Sequence, residues 1–138
     1  MAGRILIADS VATNRIILKT KLSSASYDVV QAGTGHDLLQ MITPERIDLV
    51  ILDASLPDYS GVELCAMLKQ NPATSAVPVI IVSVFQGAAA RIAALRAGAA
   101  DILTKPPHEA TLLARVRHLL RLRGVDDDLR LRASTARP

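Results

Sequence analysis

Short apolar runs alternate with amphipathic stretches along the chain. Arg4-Ile5-Leu6-Ile7-Ala8 is a continuous apolar run that ends in a polar pair, Asp9-Ser10, and reads as a strand buried on both faces. Ile16, Ile17, Lys19, Lys21 and Leu22 follow at helical spacing and predict a helix from about Thr13 to Ser24. Tyr27 to Ala32 is a second strand, broken by Gly33-Thr34-Gly35. Leu38, Leu39, Met41 and Ile42 then predict a short helix that ends before Pro44. Asp48 to Leu52 is a third strand running into Asp53. The loop Ala54 to Ser60 contains Pro57 and ends at Gly61, after which Val62, Leu64, Cys65 and Leu68 mark a helix stopped by Asn71-Pro72. Val77 to Val82 is a fourth strand running into Ser83. Gly87 to Ala97 is a helix rich in Ala and Arg, with Gly98 as its C-terminal cap. Ala100 to Thr104 is a fifth strand ending at Lys105-Pro106-Pro107, and Leu112, Leu113, Val116, Leu119 and Leu120 form a last amphipathic helix.

Five consecutive strand–helix units predict an α/β fold: one domain built on a five-stranded parallel sheet, doubly wound, with helices on both faces. Residues 1–124 form that domain. The composition changes at Gly124, and residues 125–138 read as a helix extension or a linker tail toward an output domain.

Composition narrows the function classes. A chain of 138 residues that is 50% hydrophobic and 21% charged holds a real core and is not intrinsically disordered. Aromatics are only 2%, so the core is aliphatic and no stacking platform for single-stranded nucleic acid can be built. The single Cys65 excludes an intramolecular disulfide and any multi-cysteine metal site, and His36, His108 and His118 lack ligand-like spacing. No stretch is apolar enough to span a membrane, and the N-terminal run is too short for a signal peptide, so a cytoplasmic protein is expected. Residues 1–110 carry nine Lys/Arg against ten Asp/Glu, whereas residues 111–138 carry seven Arg against three Asp. Basicity confined to one end does not suit direct nucleic-acid binding, which favours basic residues across a working face.

The strand exits carry the chemistry. Ligands of open parallel sheets bind beyond the carboxyl ends of the strands, and those positions hold Asp9, Asp53, Ser83 and Lys105. If the first, third and fourth strands are neighbours, these groups converge. Clustered carboxylates repel unless a cation neutralises them, and oxygen-only ligands point to a hard cation, Mg²⁺ before Zn²⁺. A carboxylate beside a metal and a lysine can act as a nucleophile toward phosphorus, with both cations offsetting charge on the phosphoryl oxygens.

Simpler structural roles compete at several positions. Ser10 reads best as a helix N-cap, and Asp9 alone reads as a cap or a ligand equally well. Asp53 has no such reading, because seven loop residues separate it from the next helix. Cys65 lies on an apolar helix face and reads as core. His108 and His118 read as exposed helix residues, Pro107 as the first turn of the last helix, and Arg115, Arg117, Arg121 and Arg123 as a solvated face.

Over about residues 4–123 the chain resembles the receiver domain of bacterial two-component response regulators, a flavodoxin-like (βα)5 fold. The resemblance rests on Ile5 to Asp9, on Leu52 to Gly61 with its Asp-x-x-x-Pro-x-x-x-Gly element, on Val79 to Ser83, and on Gly98 to Pro106. Leu103-Thr104-Lys105-Pro106 and Leu113-Ala114-Arg115-Val116-Arg117 look most like receivers attached to diguanylate cyclase output domains. The resemblance implies that Asp53 accepts a phosphoryl group from a histidine kinase or phosphotransfer protein and that Asp9 and Asp53 help hold Mg²⁺. It further implies that Lys105 pairs with the phosphoryl group across a Lys-Pro bond often cis in the family, that Ser83 is the switch hydroxyl, and that Pro57, Gly61 and Pro106 shape the site loops. Any catalysis would be limited to the chain's own phosphorylation and dephosphorylation. The face formed by helix four, strand five and helix five would serve dimerisation or output. Arg91, Arg96, Asp101, Arg115 and Arg117 there offer complementary charge pairs across a two-fold axis.

Two positions depart from the family pattern. Ser10 stands where a second acid is usual and is a poorer Mg²⁺ ligand. Ile102 replaces the aromatic switch residue, and a β-branched aliphatic side chain cannot swing as a polar-tipped ring does. These departures support an alternative, a degenerate receiver that docks or dimerises without phosphorylation. A nucleotide-binding domain on the same topology would need a phosphate-cradling loop after the first strand, where Asp9 would repel phosphate. An aspartyl phosphatase of the haloacid dehalogenase type would need Asp-x-Asp there, and Asp9-Ser10-Val11 lacks it.

Overall fold

Each of the five apolar runs forms a strand and each amphipathic stretch a helix. The computed structural model describes residues 3–85 and 87–124, so the extension over 125–138 lies outside the described residues. The elements run β1 (Arg4–Ala8), α1 (Ala12–Ser24), β2 (Asp28–Ala32), α2 (Gly35–Met41), β3 (Leu49–Asp53), α3 (Gly61–Gln70), β4 (Val79–Ser83), α4 (Ala88–Arg96), β5 (Asp101–Thr104) and α5 (Glu109–Leu122). The strands form one sheet in the order β2-β1-β3-β4-β5, and every pairing is parallel.

The two-residue period of a strand divides the core in two. Leu6, Val50, Leu52, Val79, Ile81 and Ile102 face one layer, which Leu38 of α2, Leu64, Cys65 and Leu68 of α3 and Ala94 of α4 complete. Ile5, Ile7, Leu49, Ile51, Ile80, Val82 and Leu103 face the other, closed by Leu18 and Leu22 of α1 and Leu112, Val116 and Leu120 of α5. Both layers are aliphatic, as the composition requires, and Cys65 is core.

Element ends differ from the expected ones for local reasons. β4 starts at Val79 rather than Val77, because Pro78 has no N–H to give the ladder. β2 starts at Asp28 rather than Tyr27, and β3 and β4 each run one residue further, to Asp53 and Ser83. The glycine pair read as a break opens α2 instead. Thr34 caps that helix by accepting from Asp37 N, and a Cβ on Gly35 would lie 2.5 Å from Tyr59 Cδ2. Gly98 does follow α4, at φ +95°, where a side chain would also meet Lys69 at 2.7 Å.

Three expectations about side chains are corrected. Neither Asp9 nor Ser10 is the N-cap of α1; that residue is Val11, without a side-chain cap, while Asp9 Oδ1 accepts from Val11 N and Ser10 points into solvent. Pro107 is not in the first turn of α5. It is buried ahead of Glu109, and His108 occupies the N-cap position. The arginine series is not one solvated face. Arg115 Nε donates to Asp101 Oδ2 at 2.7 Å and Arg123 Nη1 donates to Asp48 O at 3.0 Å, leaving Arg117 and Arg121 exposed. Burying Asp101 makes its pairing with Arg115 necessary.

Gly61 fixes how α3 leaves the sheet. Its N–H donates to Ala54 O at 2.8 Å, and a Cβ there would stand 2.7 Å from Asp53 O and 2.9 Å from Ala54 Cα. Those obstacles are backbone, so they cannot rotate away. Gly61→Ala is expected to cost about 1–3 kcal/mol, lowering the Tm by several degrees in calorimetry. An unchanged Tm would show that the α3 entry is not tightly packed.

Candidate functional site

In the sheet, β1 lies between β2 and β3, so the chain's direction of travel reverses beside β1. A crevice opens beyond the carboxyl ends of the strands at such a switch point. Asp9 follows β1 directly, and Asp53 is the last residue of the neighbouring β3. Lys105 follows β5, two strands away, and its side chain reaches back to both acids. Its Nζ lies 2.8 Å from Asp9 Oδ2 and 2.9 Å from Asp53 Oδ2. The two acids are only 5% and 10% exposed at the side chain, so their mutual repulsion is little screened by water and the shared ammonium compensates it. Burial alone would lower the pKa of Lys105, but hydrogen bonds and charge from Asp9 and Asp53 outweigh it and hold the ammonium above its ordinary value.

The remaining acceptor positions are also filled. Asp53 Oδ1 accepts from Ser55 N at 3.3 Å. Asn14 Nδ2 donates to Asp9 Oδ2 at 3.3 Å, and Arg15 Nη1 donates to the Asp9 carbonyl at 2.7 Å while its Nε holds Gln31 Oε1. The first turn of α1 thus grips Asp9 by side chain and backbone. Sequence reasoning missed Asn14 and Arg15. Their signal was position, one helical turn past an acid at a strand exit.

Ser83 is buried at the end of β4, one residue beyond Val82, which pairs with Asp53. Its Oγ accepts from Phe85 N at 3.0 Å, and its carbonyl accepts from Lys105 N at 2.9 Å. Pro106 follows Lys105 through a cis peptide bond. Pro57 is exposed in the loop after Asp53, which Leu56 N closes on Tyr59 O at 3.0 Å. That loop is tied to α2 by Asp58, whose carboxylate accepts from Gly35 N and His36 N at 2.8 and 2.9 Å. The Gly35 bond, with that from His36 opposing slight desolvation, holds the Asp58 carboxyl below its ordinary pKa. The structure therefore brings Asp9, Asp53 and Lys105 into contact and sets Ser83 beside them. Ser10 is exposed next to Asp9, and Ile102 is buried in the core layer that α4 covers.

A response regulator receiver domain model matches residues 5–117. The chain belongs to this family. It is 37% identical over 137 residues to response regulator PleD of Caulobacter vibrioides, covering 99% of this chain and 30% of that protein. It is 36% identical over 128 residues to response regulator MprA of Mycobacterium ulcerans, covering 93% of this chain and 54% of that one. The chain thus spans about a third of the one relative's length and about half of the other's. Among solved structures, the receiver domain of a signal transduction histidine kinase from Syntrophus aciditrophicus superposes with a TM-score of 0.80 at 31% identity, covering 87% of this chain and 91% of that one. The beryllofluoride-activated DrrB receiver domain gives 0.77 at 34% identity, covering 88% and 99%.

Receiver domains are phosphoacceptor switches rather than enzymes; they work with histidine kinases or phosphotransfer proteins and bind Mg²⁺ at the phosphorylation site. The donor set here suits such an ion. It offers two adjacent carboxylates and no sulfur or imidazole, and Mg²⁺ is commonly held by one or two carboxylates plus water and phosphate oxygens. Among the described residues no group of three or more His, Cys, Asp or Glu forms a metal cluster. No helix among the described residues is long and apolar enough to cross a membrane.

Proposed function

We propose that this receiver accepts a phosphoryl group on Asp53 from the phosphohistidine of a partner kinase or phosphotransfer protein. The observation that carries the reading is the single Lys105 ammonium shared between Asp9 and Asp53 at the switch point. An Asp53 oxygen forms the bond to phosphorus as the bond to the donor nitrogen breaks. The Lys105 ammonium then passes from the carboxylates to the phosphoryl oxygens. Mg²⁺, held by Asp9 and Asp53, would supply further positive charge there. Ser83 turns its hydroxyl toward the new group and releases Phe85 N.

With Ile102 already buried, no ring swings, and output coupling runs through the Ser83–Phe85 segment. The face of α4, β5 and α5 is the output or dimer surface. Asp101 is spent on Arg115 within the chain, so a dimer through this face would rest on Ile92 and Leu95, exposed beside Arg91 and Arg96. Residues 1–124 act as the receiver and 125–138 lead toward an output domain. The likeness to PleD and the Leu103–Pro106 pattern favour a diguanylate cyclase there. The domain works in the cytoplasm and does not itself bind nucleic acid. A second reading, a receiver that docks partners without phosphorylation, is favoured by the solvent-facing Ser10.

Asp53→Asn should abolish covalent labelling by acetyl phosphate, read as the loss of the added phosphoryl mass. Full labelling of the variant would place the acceptor elsewhere, and no labelling of the natural protein would favour the docking reading. Ser10→Asp should tighten Mg²⁺ binding. A third carboxylate adds attraction that desolvation and repulsion from Asp9 and Asp53 partly offset, for a net gain of roughly 1–2 kcal/mol, about tenfold in affinity. Titration calorimetry at matched pH and salt measures it, and equal affinities would remove Ser10 from the metal's surroundings.

A further inference from the structure

The two acids that share Lys105 are held very differently. Every polar atom of Asp9 has a partner within the chain. Its N donates to Ala32 O at 3.1 Å, and its carbonyl accepts from Arg15 Nη1 at 2.7 Å. Its Oδ1 accepts from Val11 N at 2.9 Å, and its Oδ2 accepts both from Asn14 Nδ2 at 3.3 Å and from Lys105 Nζ at 2.8 Å. Asp53 Oδ2 bonds to Lys105 at 2.9 Å, and its Oδ1 takes a long bond from Ser55 N at 3.3 Å. The Asp9 carboxylate is therefore pinned at both oxygens even without Lys105, whereas Asp53 depends on the ammonium for its closest bond. Asn14 is half-buried and lines the same cavity as Asp9, Asp53 and Lys105.

Phosphoryl transfer makes this difference matter. An Asp53 oxygen bonds to phosphorus as the bond from phosphorus to the leaving group breaks, and the leaving group keeps the electron pair. The new bond takes the negative charge from the Asp53 carboxylate, so Asp53 no longer needs the ammonium. Asp9 stays ionised, 5% exposed at the side chain, while Lys105 leaves it for the phosphoryl oxygens. A buried carboxylate oxygen stripped of its donor is costly. The Asn14 amide remains on that oxygen when the ammonium goes. Together with Val11 N it also stops the carboxylate from turning after the departing charge.

We propose that Asn14 is a positioning residue for the transfer, its side-chain amide keeping Asp9 Oδ2 paired and the carboxylate in place while Lys105 passes to the phosphoryl oxygens. Asn14 acts through Asp9, and Arg15 fixes the backbone of the same residue. The proposal rests on Asp53 being the acceptor.

The test compares the natural protein with Asn14→Leu, which keeps the branched shape and removes the donor, and Asn14→Gln, which returns a donor on a longer arm. Labelling by acetyl phosphate at saturating Mg²⁺ is followed by intact mass, beryllofluoride affinity by titration calorimetry, and folding by the Tm without either ligand. Asn14→Leu should slow labelling about fivefold and weaken beryllofluoride binding by a similar factor, the scale of one long hydrogen bond to a charged acceptor. Its Tm should be unchanged, and Asn14→Gln should recover most of both losses. Unchanged labelling and binding in Asn14→Leu, or losses that follow a lower Tm and that Asn14→Gln does not recover, would overturn the proposal while leaving Asp53 as the acceptor. A natural protein that neither labels nor binds beryllofluoride would overturn the acceptor reading and the proposal together.

Discussion

Two carboxylates from separate strands can sit together here only because one ammonium lies between them. Lys105 enters from β5, two strands from Asp53, and bonds to Asp9 and Asp53 within 2.9 Å. Two carboxylates against one ammonium leave the little-exposed crevice with an excess of negative charge, which favours a cation there. The sheet order makes this possible. β1 and β3 are adjacent and end at the same level, since Ala8 pairs with Leu52, one residue before each acid. The close packing at Gly61 and the Asp58 tie to α2 then hold the Asp53 loop in place.

The strands and their exits were legible in the sequence because buried parallel strands are unbroken apolar runs. Asp9, Asp53, Ser83 and Lys105 stood out as polar residues ending such runs, and the switch-point rule placed them together. What could not be read was tertiary. Asn14 and Arg15 look like ordinary first-turn residues of α1, and only their position one turn past the acid at the β1 exit marks them as grips on Asp9. Asp101 and Arg115 each looked like surface charge. Only the fold shows that the acid is buried and that α5 brings the guanidinium to it. The Gly33–Gly35 break concealed a helix start, because the need for a glycine at 35 comes from Tyr59 and Leu64, more than twenty residues away.

Ser10 and Ile102 are the two positions at which the chain departs from the family pattern. With Ser10 uncharged, the rim holds two carboxylates, Asp9 and Asp53, and Lys105 bonds to both. Ile102 is already buried in the core layer that α4 covers, so burial of a ring cannot report the state of the site. The Ser83–Phe85 bond lies beside exposed Val84 and Phe85, so the end of β4 is tied to the surface there.

A crystal structure of the protein grown with Mg²⁺ and beryllofluoride tests the account most directly. The account predicts the fluoride complex on an Asp53 oxygen, Lys105 Nζ within hydrogen-bond distance of a fluorine, Mg²⁺ against both Asp9 and Asp53, and Ser83 rotated away from Phe85 N. Beryllofluoride bound elsewhere, or Lys105 still bridging the two carboxylates with the complex in place, would contradict it.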